Sequence, residues 1–212
     1  YLNGTRVGHI QPDGTTRYEE MKPGRTDYNH RVHYSMHDVT SLLHDGDNAV
    51  GAYVTNGWWK GDVAHGAYGN PELAFIGKLH IQYENGTEQT IVTDSSWASY
   101  TGGALRSGDI YDGEIYDARL ESAWTDGRYD QSAWHGVAYS NEFKGVIEAP
   151  KVAPVEELTE LEMVPASATI FKTPELKTGD FGMIDVVSKT DNPGTISLKK
   201  GQSVIFDFGQ NF

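Results

Sequence analysis

Residues 73–93 read "LAFIGKLHIQYENGTEQTIVT". A strand-like apolar run passes through Asn85-Gly86 into a second one. Asn-Gly between alternating segments is the strongest short-range signal for a β-hairpin, because both turn positions need a positive φ. The first ten residues, "YLNGTRVGHI", repeat the device at Asn3-Gly4. Both sites also match glycosylation acceptors (Asn-Gly-Thr), but each reads as a hairpin turn first.

Working outward, "RVHYSMHDVTSLL" (31–43) alternates Val32, Tyr34 and Met36 with His33, Ser35 and His37, the pattern of a half-buried strand. Asp38 then opens one short helical turn, stopped by "HDGDN". "AVGAYVTNGWW" reads as a longer strand, and "WASY" and "IYDGEIYDARL" as two more. "DGRYDQSAWHGVAY" reads as a turn and a capped helical turn that folds Trp134 back onto a sheet. From Lys144 the texture changes. Pro150, Pro154 and Pro165 with few aromatics predict an extended linker. β texture resumes in "FGMIDVVSKTDNPGTISLKKGQSVIFDFGQ". The expected fold is all-β: one β-sandwich domain at 1–148, then a linker and an incomplete second β segment at 149–212.

Composition agrees with that class. The 212 residues are 11% aromatic and include 24 Gly, as turn-rich sheets require. Thirty acidic against 17 basic residues give a net charge of −13. Such a surface repels phosphate backbones, so nucleic acid is not an expected partner. No run is long and apolar enough to span a membrane. The absence of Cys excludes disulfides, Cys-based zinc sites and thiol nucleophiles and leaves the compartment open. The chain starts at Tyr1 without Met and stops within a strand-like pattern at Phe212, which reads as a piece of something longer.

Several stretches carry possible chemistry. In "SGDIYDGEIYDARL" (107–120), four carboxylates sit among tyrosines and Arg119. On one strand Asp112, Glu114 and Tyr116 would share a face, their Cβ atoms about 6–7 Å apart, a spacing that suits a glycosidase pair. Catalytic pairs usually come from separate elements that flank a substrate. Pinning a corner or docking a neighbouring domain is therefore the favoured reading for Asp112, Glu114, Asp117 and Arg119. His30, His33 and His37 have metal-ligand spacing for a helix, but on a strand only the last two align, and surface histidines are expected. "NGWWKGDVAHGAYGNPELAF" groups Trp58, Trp59 and Tyr68 with Asn56, Asp62 and Asn70. Aromatic faces and amides of this kind suit a carbohydrate, and the plainer role for either Trp is closing the end of the core. Trp97, Trp124 and Trp134 are assigned to packing. In "GRTDYNH", Asp27 and Asn29 offer oxygen ligands of the sort that hold calcium, although Asp and Asn also cap turns.

Taken together, "YLNGTRVG", "TDYNHRVHYSMHDVTSLLHDGDNAVG", "NGWWKG", "TIVTDSSW" and "DIYDGEIYDARLE" resemble, in order and spacing, the amino-terminal β-sandwich of bacterial α-L-rhamnosidases of glycoside hydrolase family 78. "VIFDFGQNF" is similar to the strand that opens their next β-domain. The resemblance implies a jelly-roll, galactose-binding-like sandwich in front of an (α/α) barrel that hydrolyses terminal L-rhamnose with inversion. The catalytic acids of that family lie in the barrel, so none is expected here. In some relatives a sandwich of this type binds rhamnose through calcium. That implies carbohydrate contacts at Asp27, Asn29, Trp58, Trp59, Tyr68 and Asn70, with Asp27, Asn29 and Asn70 on the cation. Arg25 stands where the family often has Trp. The partners implied are the chain's own downstream barrel and rhamnose-bearing glycans. Alternative readings are a purely structural domain, the accessory sandwich of another exo-glycosidase, and a self-contained glycosidase built on Asp112 and Glu114.

Overall fold

Short strands joined by side-chain-stabilised turns make up almost the whole fold. The computed structural model describes residues 1–61, 72–141, 143–172 and 185–210, and the chain divides into two compact units, Tyr1–Glu157 and Leu158–Phe212. Among the described residues both units are all-β, with helix limited to single turns.

In the first unit, Asn3 and Gly4 take left-handed φ values of 51° and 82°, and Leu2 bridges back to Thr5, as the Asn-Gly signal requires. Asn3 also works through its side chain. Its amide donates to the Leu42 carbonyl at 2.8 Å and its Oδ1 accepts from Ala49 N at 2.8 Å. Leu2, almost fully buried, is thereby fixed beside Val50, with which it forms a second bridge.

Strand β1 (His9–Ile10) pairs antiparallel with β2 (Thr16–Arg17). Strand β3 (Glu19–Glu20) follows, and β4 (Arg31–His33) comes after the "GRTDYNH" loop. Gly8 makes this corner possible, since a Cβ there would lie 2.5 Å from the Arg17 carbonyl oxygen. Strands β5 (Lys78–Gln82) and β6 (Glu88–Val92) form the hairpin expected from residues 73–93, with Gly86 at φ 83°. Thr87 N and Oγ1 both donate to Asn85 Oδ1, the local bond that suits Asn to turns. Strands β7 (Ala98–Ser99), β8 (Leu105–Asp109), β9 (Gly113–Tyr116) and β10 (His135–Gly136) complete this region, pairing β10 with β7 and β8 with β9.

Trp124 anchors the aromatic packing. Its ring meets Tyr1 at 5.5 Å, Tyr53 at 4.7 Å and Trp134 at 6.4 Å, and Nε1 donates to Tyr53 Oη at 2.8 Å. Trp134 in turn stacks on Tyr100, and Trp97 meets Phe75. All three tryptophans expected to pack do so.

Three expectations are corrected. The stretch after Lys144 is no free linker: β11 (Val146–Glu148) pairs parallel with β4, and β12 (Val155–Glu156) pairs antiparallel with β3. Pro150 and Pro154 stand in the connection between these two strands and leave the ladder donors intact. "AVGAYVTNGWW" forms no long strand. It carries the bridge at Val50 and then a one-turn helix, α1 (Gly57–Lys60), because Gly57 adopts φ 46° and turns the chain. Finally, the histidine side of "RVHYSMH" faces inward. Met36 is 78% exposed, whereas the side chains of His33 and His37 are only 17% and 12% exposed. Carboxylates on neighbouring elements, Glu148 and Glu19, draw the imidazoles in, and alternation alone does not say which face has partners.

In the second unit, β13 (Ser167–Lys172) lies between β14 (Val186–Asp191) and β15 (Gln202–Asp207), antiparallel to both. Ala168, at the centre of that sheet, is 2% exposed. The "VIFDF" run supplies β15 of this sheet, and the "KKGQ" turn before it has Gly201 at φ 79°.

Candidate functional site

Three of the stretches singled out from the sequence converge in the first unit: "GRTDYNH", "NGWWKG" and "SGDIYDGE". In the first, Thr26 Oγ1 donates to the Arg31 carbonyl at 2.6 Å, and the Asp27 carbonyl accepts from His30 N and Arg31 N. The Asp27 carboxylate closes the loop further: Oδ1 accepts from Asn29 N at 3.1 Å, and Oδ2 lies 2.8 Å from His30 Nδ1. The His30 bond, helped by the Asn29 amide, holds the Asp27 carboxyl below the usual range, so it is ionised at neutral pH. Asp27 and Asn29 are both exposed.

Tyr28 points the other way. It is 5% exposed, donates its hydroxyl to the Gly24 carbonyl at 2.8 Å and meets Trp59 edge-on at 5.2 Å. Trp59 lies on α1, donates Nε1 to the Glu72 carbonyl at 2.9 Å and reaches Phe143 at 6.5 Å. Edge-to-face rings with a satisfied N–H are packing geometry. Trp59 therefore closes the end of the core, and Trp58 is half-buried beside it on the same turn. Tyr68 and Asn70, the remaining expected sugar contacts, lie outside the described residues, as does Asp62.

The acidic stretch departs from the single strand expected of it. A tight turn occupies 110–112, Gly113 takes φ 77°, and the chain doubles back as β9. Asp112 is thus on the turn, while Glu114 and Tyr116 share one exposed face of β9. Asp109 is the residue that sequence reasoning undervalued. Its Oδ1 accepts from Tyr111 N at 2.8 Å and Asp112 N at 3.2 Å, which builds the turn. Its backbone bridges to Gly57, and a Cβ on Gly61 would lie 2.3 Å from its Oδ2. Asp109 so joins the acidic hairpin to the "NGWWKG" turn through its backbone, with its carboxylate lying close against Gly61. The available signal was the Asp-x-x-x-Gly spacing, an acceptor placed ahead of a left-handed glycine.

Asp117 and Arg119 form a fork-to-fork pair. Arg119 Nε donates to Oδ1 at 2.7 Å and Nη2 to Oδ2 at 2.6 Å, while Asp117 also caps the turn Ala118–Leu120 through Arg119 N. The guanidinium holds the Asp117 carboxyl down at about 2. Tyr116 donates its hydroxyl to Glu121 at 2.8 Å, a bond that raises its pKa to about 12. Asp109 and Asp117 both accept backbone amides, and Asp117 is also the arginine partner.

Residues 1–159 match the family model of the alpha-L-rhamnosidase N-terminal domain. The chain belongs to that family. Among relatives of this rhamnosidase domain, the chain is 34% identical over 178 residues to an alpha-L-rhamnosidase of Streptomyces avermitilis, covering 76% of this chain and 16% of that protein. It is 31% identical over 222 residues to an alpha-L-rhamnosidase of Alteromonas sp. (strain LOR), covering 99% of this chain and 22% of the relative. The crystal structure of the Streptomyces avermitilis alpha-L-rhamnosidase complexed with L-rhamnose matches with a TM-score of 0.58 at 22% identity, covering 98% of this chain and 23% of that one. At that identity the likeness speaks for the fold. The chain thus spans between a sixth and a quarter of the length of these relatives.

Proposed function

We propose that this chain is a non-catalytic accessory region of a longer α-L-rhamnosidase, and that it supports and positions the downstream catalytic part. The supporting observation is how the acidic hairpin spends its groups. Asp109 builds its own turn and Asp117 is held by Arg119, whereas glycoside hydrolysis needs two carboxyl groups opposed across a substrate. Asp112 and Glu114 stay exposed on the hairpin and, with the Asp117–Arg119 pair, form the edge that docks the catalytic part. The chain alone is expected to release no rhamnose from an aryl α-L-rhamnoside. Turnover by a folded sample, lost in Glu114→Gln, would reinstate the self-contained glycosidase.

The docking role has its own test. Arg119 is 87% exposed, and pairs of that kind add little to stability. Arg119→Ala should leave the melting temperature of the 212-residue chain unchanged. In the longer enzyme the same change should lower the temperature at which activity is lost. An equal effect in both settings would make Arg119 a local brace only.

A second reading rests on the exposed, ionised Asp27 carboxylate beside Asn29: calcium-dependent binding of L-rhamnose at this loop. A cation there would have to displace His30 from Oδ2. Titration calorimetry with L-rhamnose, with calcium and after chelation, separates the readings. The structural reading expects no heat in either condition. Calcium-dependent heat abolished by Asp27→Ala would establish the lectin-like one.

A further inference from the structure

The inward turn of the histidine face brings together three groups that the sequence does not associate. His9 on β1, Glu19 on β3 and His37 beyond β4 each present a ligand atom, and these atoms lie within 4.8 Å of one another. His9 Nε2 bonds to Glu19 Oε1, and His37 Nε2 lies 3.9 Å from Glu19 Oε2. The two imidazole rings approach to 4.5 Å between centroids, tilted by 44°. Glu19 is 6% exposed. Its Oε2 and His37 Nδ1 are buried without a hydrogen bond of acceptable geometry, although Ser35 and the Gly8 backbone lie close enough to act on the two groups. Buried polar atoms in a folded protein ordinarily have partners. Of the two, Glu19 Oε2 is the one that faces the other imidazole nitrogen, His37 Nε2, and it points to a ligand between them.

We propose that His9 Nε2, a Glu19 carboxylate oxygen and His37 Nε2 bind a divalent transition metal of the zinc class. Two imidazoles and one carboxylate are the donors such ions prefer, and three protein ligands leave one position for water. Calcium, which takes six to eight oxygens, does not fit this set. A tetrahedral ion with bonds of about 2.0–2.1 Å spaces its ligand atoms about 3.3 Å apart. His37 must therefore close in slightly and the His9–Glu19 contact open, movements of side chains only. Ligation needs a free lone pair on each ring. The His37 side chain is only 12% exposed, and its Nε2 faces Glu19 Oε2 at 3.9 Å. The Gly8 carbonyl favours a proton on that ring. Placed on Nδ1, the proton leaves Nε2 free toward Glu19, the outer-shell arrangement usual for metal-bound histidine. Lys22 is the opposing element, a positive charge whose field reaches His37.

The site is distinct from the calcium reading of the "TDYN" loop, in residues and in metal. It joins β1, β3 and the end of the β4 segment, so the ion would brace that corner of the first unit. The test is titration of the metal-free 212-residue chain with Zn²⁺, and with Co²⁺ followed by its visible ligand-field bands. The expected result is one equivalent bound, a Co²⁺ spectrum of tetrahedral intensity, and a melting temperature raised by about 5 °C at a hundredfold excess over Kd. His9→Ala and His37→Ala should each weaken Zn²⁺ at least tenfold, His44→Ala should not, and Lys22→Gln should tighten it. The Co²⁺ spectrum on the unmutated chain keeps the proposal testable if a variant fails to fold. No stoichiometric binding, an octahedral Co²⁺ spectrum, or affinity indifferent to both His9→Ala and His37→Ala would overturn it.

Discussion

Gly51→Ala is expected to destabilise the first unit by about 3 kcal/mol, the upper end of what overpacking a well-filled site costs. The added Cβ would lie 2.4 Å from Trp124 Cζ3 and 3.3 Å from Cε3. The ring has little room to yield, because Nε1 is bonded to Tyr53 and the faces are bounded by Tyr1, Tyr53 and Trp134. Nor can the backbone retreat freely, since Gly51 exchanges hydrogen bonds with Tyr1, N to O at 3.1 Å and O from N at 2.9 Å. All five tryptophans lie between residues 58 and 134, within the first unit. Tryptophan fluorescence in a denaturant titration therefore reads this unit by itself. Gly136→Ala is the control, with open space around its Cβ, and should change little. Adding Trp124→Leu to Gly51→Ala should recover part of the loss, a positive coupling between touching residues. Full additivity would show that the strain lies elsewhere.

The turns were the most legible part of this chain, for a physical reason. Gly4 and Gly86 supply the left-handed φ that each turn needs, and Asn85 bonds only to Thr87, two residues on, so the signal is written within a few residues. The same holds for Asp38, whose Oδ1 accepts from Thr40 N at 2.9 Å to start the helical turn 40–42. What depended on long-range pairing was hidden. Nothing local in "KGVIEAPKVAPVEE" says that Val146 will lie beside Arg31, or Val155 beside Glu20. Periodicity in "RVHYSMH" gave two faces, but the choice between them was made by Glu19 and Glu148, 18 residues before and 111 residues after His37. The candidate site divides similarly. The loops and acids were found as stretches, while their junction through Asp109, and the union of His9 with His37, exist only once the sheets have paired. Trp59 shows the limit of composition: an indole among glycines and amides looks the same whether it stacks on a sugar or packs edge-on against Tyr28.

Arg6→Ala should be the second most damaging change, through charges it strands. The guanidinium donates to Glu157 Oε1 at 2.6 Å and to Glu20 Oε1, and it covers the Tyr18 ring at 4.4 Å. It stands where β12 closes onto β3, with Val155 opposite Glu20 and Glu157 N bonded to the Tyr18 carbonyl. Without Arg6 two carboxylates face each other across that closure. Removing one partner of a fully buried pair costs about 3–5 kcal/mol. The Arg6 side chain is 35% exposed and its partners 46% and 38%, so solvent screening reduces the expected loss to about 1–2 kcal/mol at pH 7. The pH dependence identifies the cause. In the native chain burial and Glu157 already raise the Glu20 pKa against the pull of Arg6, while bonds to Glu20 and Arg6 lower that of Glu157. In Arg6→Ala the Glu20–Glu157 pair should take up one shared proton above the unfolded carboxylate range, chiefly on Glu20. The folded state then binds protons more readily than the unfolded one as pH falls toward the ordinary carboxylate range, and stability rises with it. The deficit of Arg6→Ala relative to the native chain should therefore shrink between pH 7 and about 4.5, and adding Glu20→Gln should remove most of it at pH 7. A deficit independent of pH, and unrelieved by Glu20→Gln, would assign the loss to the Tyr18 contact instead. Arg6→Lys separates the two further: it keeps a charge between the carboxylates but loses the planar fork that bonds both while covering the ring.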